Sequence, residues 1–105
     1  MRIWAALAAG VGLSLALAGG AGSSPEDNGA DLARRLGCFA CHSLRGQGGK
    51  EAAPLDGVGA RLSRPELAAS LSHPRQRHPG ARMPSYEYLR PDEKQAMLDF
   101  LQGLK

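Results

Sequence analysis

The first hydrophobic feature of the chain is a block without periodicity. Ile3 to Ala18 is an uncharged run rich in Ala and Leu, preceded by Arg2 and followed by the small residues Gly19 to Ser24. A basic start, a short apolar centre and a small-residue end have the layout of a secretory signal. Ala16-x-Ala18 fits the cleavage pattern, and the small residues that follow offer other sites up to about residue 24. We therefore assign residues 1–22 as a signal peptide and 23–105 as the exported domain. As an uncleaved anchor, the run sits at or below the ~17 to 25 residues needed to span a bilayer. Membrane attachment is expected only if this segment is retained.

After the leader the pattern becomes amphipathic. Ser24-Pro25-Glu26-Asp27 predicts a helix start, with a capping hydroxyl, a first-turn proline and acids at the positive end of the dipole. Gly29, Leu32, Ala33 and Leu36 line one face, and Gly37 is placed to end the helix in a left-handed conformation. Ser63-Arg64-Pro65-Glu66 has the form of a capping box, followed by Leu67 and Leu71 and a stop before Pro74. Pro91-Asp92-Glu93 opens a last helix in which Met97, Phe100, Leu101 and Leu104 fall at i, i+3, i+4 and i+7.

Composition makes this an all-α prediction. Beyond residue 22 the β-branched residues reduce to Val58, Thr is absent from the chain, and no sheet is expected. Only 18 residues of that stretch are Leu, Val, Met, Phe or Tyr, and the sole Trp lies in the leader. A core below ~80 residues rarely supplies more than a few kcal/mol. Two segments, 43–60 with five glycines and 72–89 with three prolines, are long for structureless loops in a small domain. Something other than side chains is expected to fill the middle, with the loops wrapped around it.

Cys38-Phe39-Ala40-Cys41-His42 supplies the candidate. Cys-x-x-Cys-His is the attachment pattern of c-type haem. Thiols at i and i+3 on a helical turn face the same way and can reach two vinyl groups of one porphyrin, while the following imidazole points along the iron axis. A redox disulfide of the thioredoxin kind would need a βαβ setting that the composition denies. A Cys2His2 zinc site using His73 and His78 fails on spacing, because 31 residues separate Cys41 from His73 where ~12 is usual, and Pro74 interrupts the helix such a site needs.

The sixth ligand should be a soft or imidazole donor downstream. Met83 leads, because it lies in a proline-rich loop and outside any helical stripe, whereas Met97 lies on one; His73 and His78 are the alternatives. A ligating histidine normally donates its second ring nitrogen to an acceptor, and the Pro54 carbonyl is the expected partner of His42.

These segments together resemble the small single-haem cytochrome c family with His and Met axial ligands, over roughly residues 26–105. The resemblance rests on the helix with Gly29 and Leu32 before the Cys38–His42 motif and on Pro54-Leu55-x-Gly57-Val58-Gly59-x-Arg61. It rests also on Pro79-Gly80-x-x-Met83-Pro84-x-Tyr86 and Leu98-x-Phe100-Leu101. It implies the cytochrome c fold, in which short helices and long loops wrap one haem and the first and last helices cross, with Gly29 or Ala30 admitting the Phe100 ring. It also implies one haem c per chain attached through Cys38 and Cys41, His42 and Met83 as metal ligands, and the Pro54 carbonyl on His42. Arg61 is a candidate for a haem propionate, and Tyr86 and Tyr88 for the haem edge. Ala53 stands where many relatives have Gly, and the Trp that many relatives carry near a propionate has no counterpart here.

The charge bears on partners. Thirteen Lys and Arg face 10 Asp and Glu, a formal balance of +3. Residues 61–82 carry five arginines (61, 64, 75, 77 and 82) against Glu66. A basic rim of this kind would steer an acidic redox partner, whereas the nearly neutral body without aromatic-basic interleaving argues against nucleic acid. The function expected is that of an exported one-electron carrier, periplasmic or otherwise outside the cytoplasm, and not an enzyme. The alternatives are a haem subunit of a larger oxidoreductase and, with less support, a ligand sensor or catalyst.

Overall fold

A computed structural model of the chain describes residues 10, 12 and 25–105, with side chains from Asn28 onward in the first helix. The leader assignment and the Ser24 cap lie outside the described residues. The described chain runs α1 (Pro25–Arg35), α2 (Cys38–Cys41), β1 (Ser43–Leu44), β2 (Gln47–Gly48), α3 (Val58–Arg61), α4 (Arg64–Ser72), α5 (Pro74–Arg77) and α6 (Pro91–Gln102).

The three predicted helices are present and form the frame. α1 crosses α6, burying Leu32 and Ala33 against a stripe of Met97, Phe100 and Leu101, with Leu98 buried alongside. Met97 is 1% exposed, the most enclosed large side chain among the described residues. Gly29 stands at the crossing: a Cβ there would meet Phe100 Cβ and the Ala96 carbonyl. The expectation that Gly29 or Ala30 admits Phe100 thus resolves to Gly29.

Helix ends follow their local chemistry. Gly37 takes φ 81° and ψ 19°, the left-handed conformation that ends a helix cheaply in glycine. Ser63 Oγ accepts from Glu66 N–H at 3.3 Å while Glu66 Oε1 accepts from Ser63 N–H at 3.3 Å, completing the box at the start of α4. At α6, Glu93 Oε1 accepts from Arg90 N–H at 3.1 Å. Arg64 fastens α4 to α6 by donating to Asp99 at 2.9 Å and Gln102 at 2.8 Å, and also to Gln95.

A short antiparallel hairpin departs from the expectation of no sheet: Ser43 pairs with Gly48 and Leu44 with Gln47. The turn makes it. Arg45 and Gly46 have φ of 51° and 78°, both left-handed, which is the two-residue geometry that closes a hairpin without β-branched flanks. The loops expected between helices also contain the single turns α3 and α5.

Candidate functional site

The site is assembled by backbone lacing around the Cys38–His42 turn. Gly49 N–H donates to the Phe39 carbonyl at 2.9 Å, Ala52 N–H to Cys41 at 3.0 Å and Leu55 N–H to Ser43 at 2.8 Å. The glycine-rich segment is thereby folded back along the motif that precedes it. The opposite wall is tied as closely: Tyr86 N–H donates to the Leu71 carbonyl at 2.8 Å, Ser85 Oγ to Ser72 at 2.6 Å and Tyr86 Oη to Leu36 at 3.2 Å. These bonds hold the Met83 loop against the end of α4 and the end of α1.

Between the walls are two cavities of about 260 and 300 Å³. His42, Ala53, Ser70, His78 and Met83 line both, so they are adjoining lobes of one cleft. Cys38, Cys41 and Tyr86 border one lobe, and Pro54, Leu55, Val58, Arg61 and Leu67 border the other. Their combined size lies in the ~300–1,000 Å³ range of small-molecule and cofactor sites. A larger hollow of about 510 Å³ lies between α1 and the hairpin, lined by Arg34, Phe39, Leu44 and Arg45, and includes none of the motif's cysteines or histidine.

Both cysteines are free thiols, Cys38 half-buried and Cys41 exposed. Burial pushes the Cys38 thiol above its ordinary pKa of 9.0, against a smaller opposing effect of hydrogen bonding. They occupy the first and last positions of the single turn α2, which gives them a common side.

His42 is oriented by the backbone. Its Nδ1 lies 2.6 Å from the Ala53 carbonyl. A carbonyl only accepts, so Nδ1 carries the proton and Nε2 keeps a lone pair for a metal. The acceptor corrects the expectation by one residue: it is Ala53, not Pro54. The Pro54 carbonyl is instead met by Arg61, whose Nη2 donates to it at 3.3 Å while Nη1 donates to the Asp56 carbonyl at 2.5 Å. The guanidinium thus braces the 54–58 turn through two carbonyls.

Tyr86 is buried, and burial is the main cause that pushes its hydroxyl up to about 12, followed by the neighbouring Cys38. Tyr88 is exposed, with its ring centroid 6.3 Å from that of Tyr86. Sequence reading missed Ser70, which belongs to no motif, and left His73 and His78 as equal alternatives to Met83; the fold brings Ser70 and His78 to the cleft and His73 to a separate hollow.

The basic segment is less free than its composition suggests. Arg64 pairs with Asp99 and Arg77 with Glu66, at 2.9 and 3.2 Å, and Arg61 is spent on carbonyls. Arg75 and Arg82 are the two arginines of that segment with neither an ion pair nor a side-chain hydrogen bond among the described residues, and both are exposed.

A thiol pair one helical turn apart, an oriented imidazole beside it and a thioether lining the same apolar cleft define a c-type cytochrome. The family model described as Cytochrome c matches residues 26–105, and the chain belongs to the cytochrome c family. That is a family of haem-bearing, iron-dependent electron-transfer proteins rather than enzymes, with haem c held covalently by cysteine. A search of the curated proteins gives no match for this chain. The residues present fit the group: two soft nucleophiles border the cleft, both its lobes are mostly apolar, and the imidazoles of His42 and His78 and the thioether of Met83, all donors to iron, line it.

Proposed function

We propose that the chain is an exported single-haem electron carrier, with one haem c attached through Cys38 and Cys41 and with His42 and Met83 as axial ligands. The observation that carries this reading is that His42 and Met83, 41 positions apart in the sequence, line both lobes of one cleft beside the thiol pair. When bound, the haem supplies a one-electron couple between ferric and ferrous iron.

The chain's own residues account for the rest. The Ala53 carbonyl fixes the imidazole ring, and the Tyr86 and Ser85 bonds fix the loop that bears the thioether. His42 and Met83, carried on these two separately tied segments, would hold the iron and occupy the positions through which it could otherwise meet a substrate. Leu55, Val58 and Leu67 exclude water from one lobe. Arg61 has donors beyond the two used on carbonyls, and a haem propionate at the cleft would be a fitting acceptor.

In the same reading residues 1–22 direct export and are removed. Arg75 and Arg82 face an acidic redox partner, a smaller basic face than the five arginines of the sequence suggested. Attachment is tested by the mass of the denatured protein after production in a haem-attaching host. The expected mass exceeds that of the apoprotein by one haem, and Cys38→Ala or Cys41→Ala weakens its retention. Fully and normally loaded Cys41→Ala protein would contradict two-point attachment.

A further inference from the structure

We propose that His78 is a reserve axial ligand, which takes the iron position of Met83 when the thioether is lost. The proposal rests on the His42 and Met83 reading above and concerns what the same loop does when one donor is removed.

Three observations converge on it. First, of the histidines outside the attachment motif, only His78 lines the cleft, and it lines both lobes with His42 and Met83. His73 is directed elsewhere: its Nε2 lies 3.9 Å from Glu87 Oε1, and it borders a separate hollow with that residue. Two histidines that the sequence left equivalent are thus separated by the fold.

Second, His78 and Met83 belong to one short loop that is clamped outside their positions. Before it, Arg77 on α5 pairs with Glu66 at 3.2 Å; after it, Ser85 Oγ donates to Ser72 and Tyr86 N–H to Leu71. His78 N–H donates to the Pro74 carbonyl at 2.9 Å, closing α5; beyond it, Ala81 N–H to the His78 carbonyl at 2.9 Å is the one backbone bond among the described residues up to Pro84, and a Cβ on Gly80 would meet nothing within 4 Å. Exposed loops with few internal bonds open at low free energy, so the segment between the clamps can re-aim without unfolding α4 or α6.

Third, the chemistry matches. A neutral imidazole nitrogen is a ligand to haem iron, as a thioether sulfur is. The exchange breaks one iron–sulfur bond and forms one iron–nitrogen bond; it transfers no electron and needs no co-reactant. The iron would stay six-coordinate and closed, with a lower potential, because the donor that favours ferrous iron has gone.

Full-length wild type, Met83→Ala, His78→Ala and the double variant, all produced with haem, test this by the spectrum of the reduced protein before and after carbon monoxide. His78 is exposed and outside the core, so its replacement removes no core packing, and far-ultraviolet circular dichroism of each variant checks that the helices are retained. The expected result is closed low-spin iron in wild type, in His78→Ala and in Met83→Ala. Only the double variant opens, and free imidazole restores its closed spectrum. Met83→Ala that responds to carbon monoxide as strongly as the double variant overturns the proposal, as does a double variant that stays closed. An open iron in His78→Ala alone, or wild type without a haem spectrum, instead overturns the underlying ligand reading.

Discussion

Gly29 on α1 and Phe100 on α6 approach so closely that no side chain fits at position 29: a Cβ there would collide with Phe100 Cβ and the Ala96 carbonyl. The two helices that frame the domain are in contact through backbone, and the aromatic ring is buried as a result. The prediction is net destabilisation by Gly29→Ala. Helix propensity favours alanine by up to about 1 kcal/mol, but overpacking a rigid contact costs about 1–3 kcal/mol, and Gly29→Leu is worse. Denaturant midpoints measure the balance. Because the collision involves Cβ and a carbonyl, Phe100→Ala does not rescue Gly29→Ala; rescue would contradict the crossing geometry.

Tyr86→Phe removes the bond from Tyr86 Oη to the Leu36 carbonyl, which links the Met83 loop to the end of α1. A loss of about 1 kcal/mol is expected. Burial raises the Tyr86 pKa from 10.0 to about 12, so the folded state prefers the neutral hydroxyl. Its contribution is complete below pH 10 and is lost as pH rises through about 12. Alkaline unfolding curves of wild type and Tyr86→Phe should converge over that interval, and parallel curves would count against it.

Glu66 behaves in the opposite sense. Its carboxyl is held below the ordinary value of 4.5, first by the Ser63 hydroxyl, then by the Ser63 backbone, and less by Arg77. A lowered carboxyl contributes stability that is present above pH 4.5 and lost as pH falls through the folded value. Ser63→Ala should therefore lower the urea midpoint at neutral pH and do so less in acid. A difference independent of pH would show that the capping pair does not act through the carboxylate.

Met83→Ala is expected to lower the midpoint potential of the holoprotein, because thioether ligation favours ferrous iron and axial ligands command a span of ~0.8 V. Redox titration reads the change. An unchanged potential would mean that the resident sixth ligand is a nitrogen donor, with His78 the first to test.

Much of this architecture is legible in the sequence because local chemistry and periodicity agree there. The Ser63 capping box, the left-handed Gly37 and the Met97, Phe100 and Leu101 stripe all occur as the pattern predicts. The hairpin was not legible from composition, since two left-handed turn residues, not strand formers, create it. The carbonyl on His42 differs from the expected one by one residue, and the Pro54 carbonyl accepts instead from Arg61, a contact across seven positions that motif spacing does not encode. For the same reason the basic segment looked freer than it is: Asp99, which neutralises Arg64, lies 35 positions away. His73 and His78 are equivalent donors in the sequence, and only the fold separates them, placing His78 and not His73 in the cleft with Met83.

The most direct test of the central claim is the visible spectrum of the reduced, purified wild-type protein before and after carbon monoxide. The account predicts a cytochrome c spectrum that carbon monoxide does not change, since His42 and Met83 occupy both axial positions. Absence of a haem spectrum in protein matured by a haem-attaching host would contradict the attachment site. A clear shift with carbon monoxide would contradict the closed iron, and with it the electron carrier in favour of a ligand-binding haem protein.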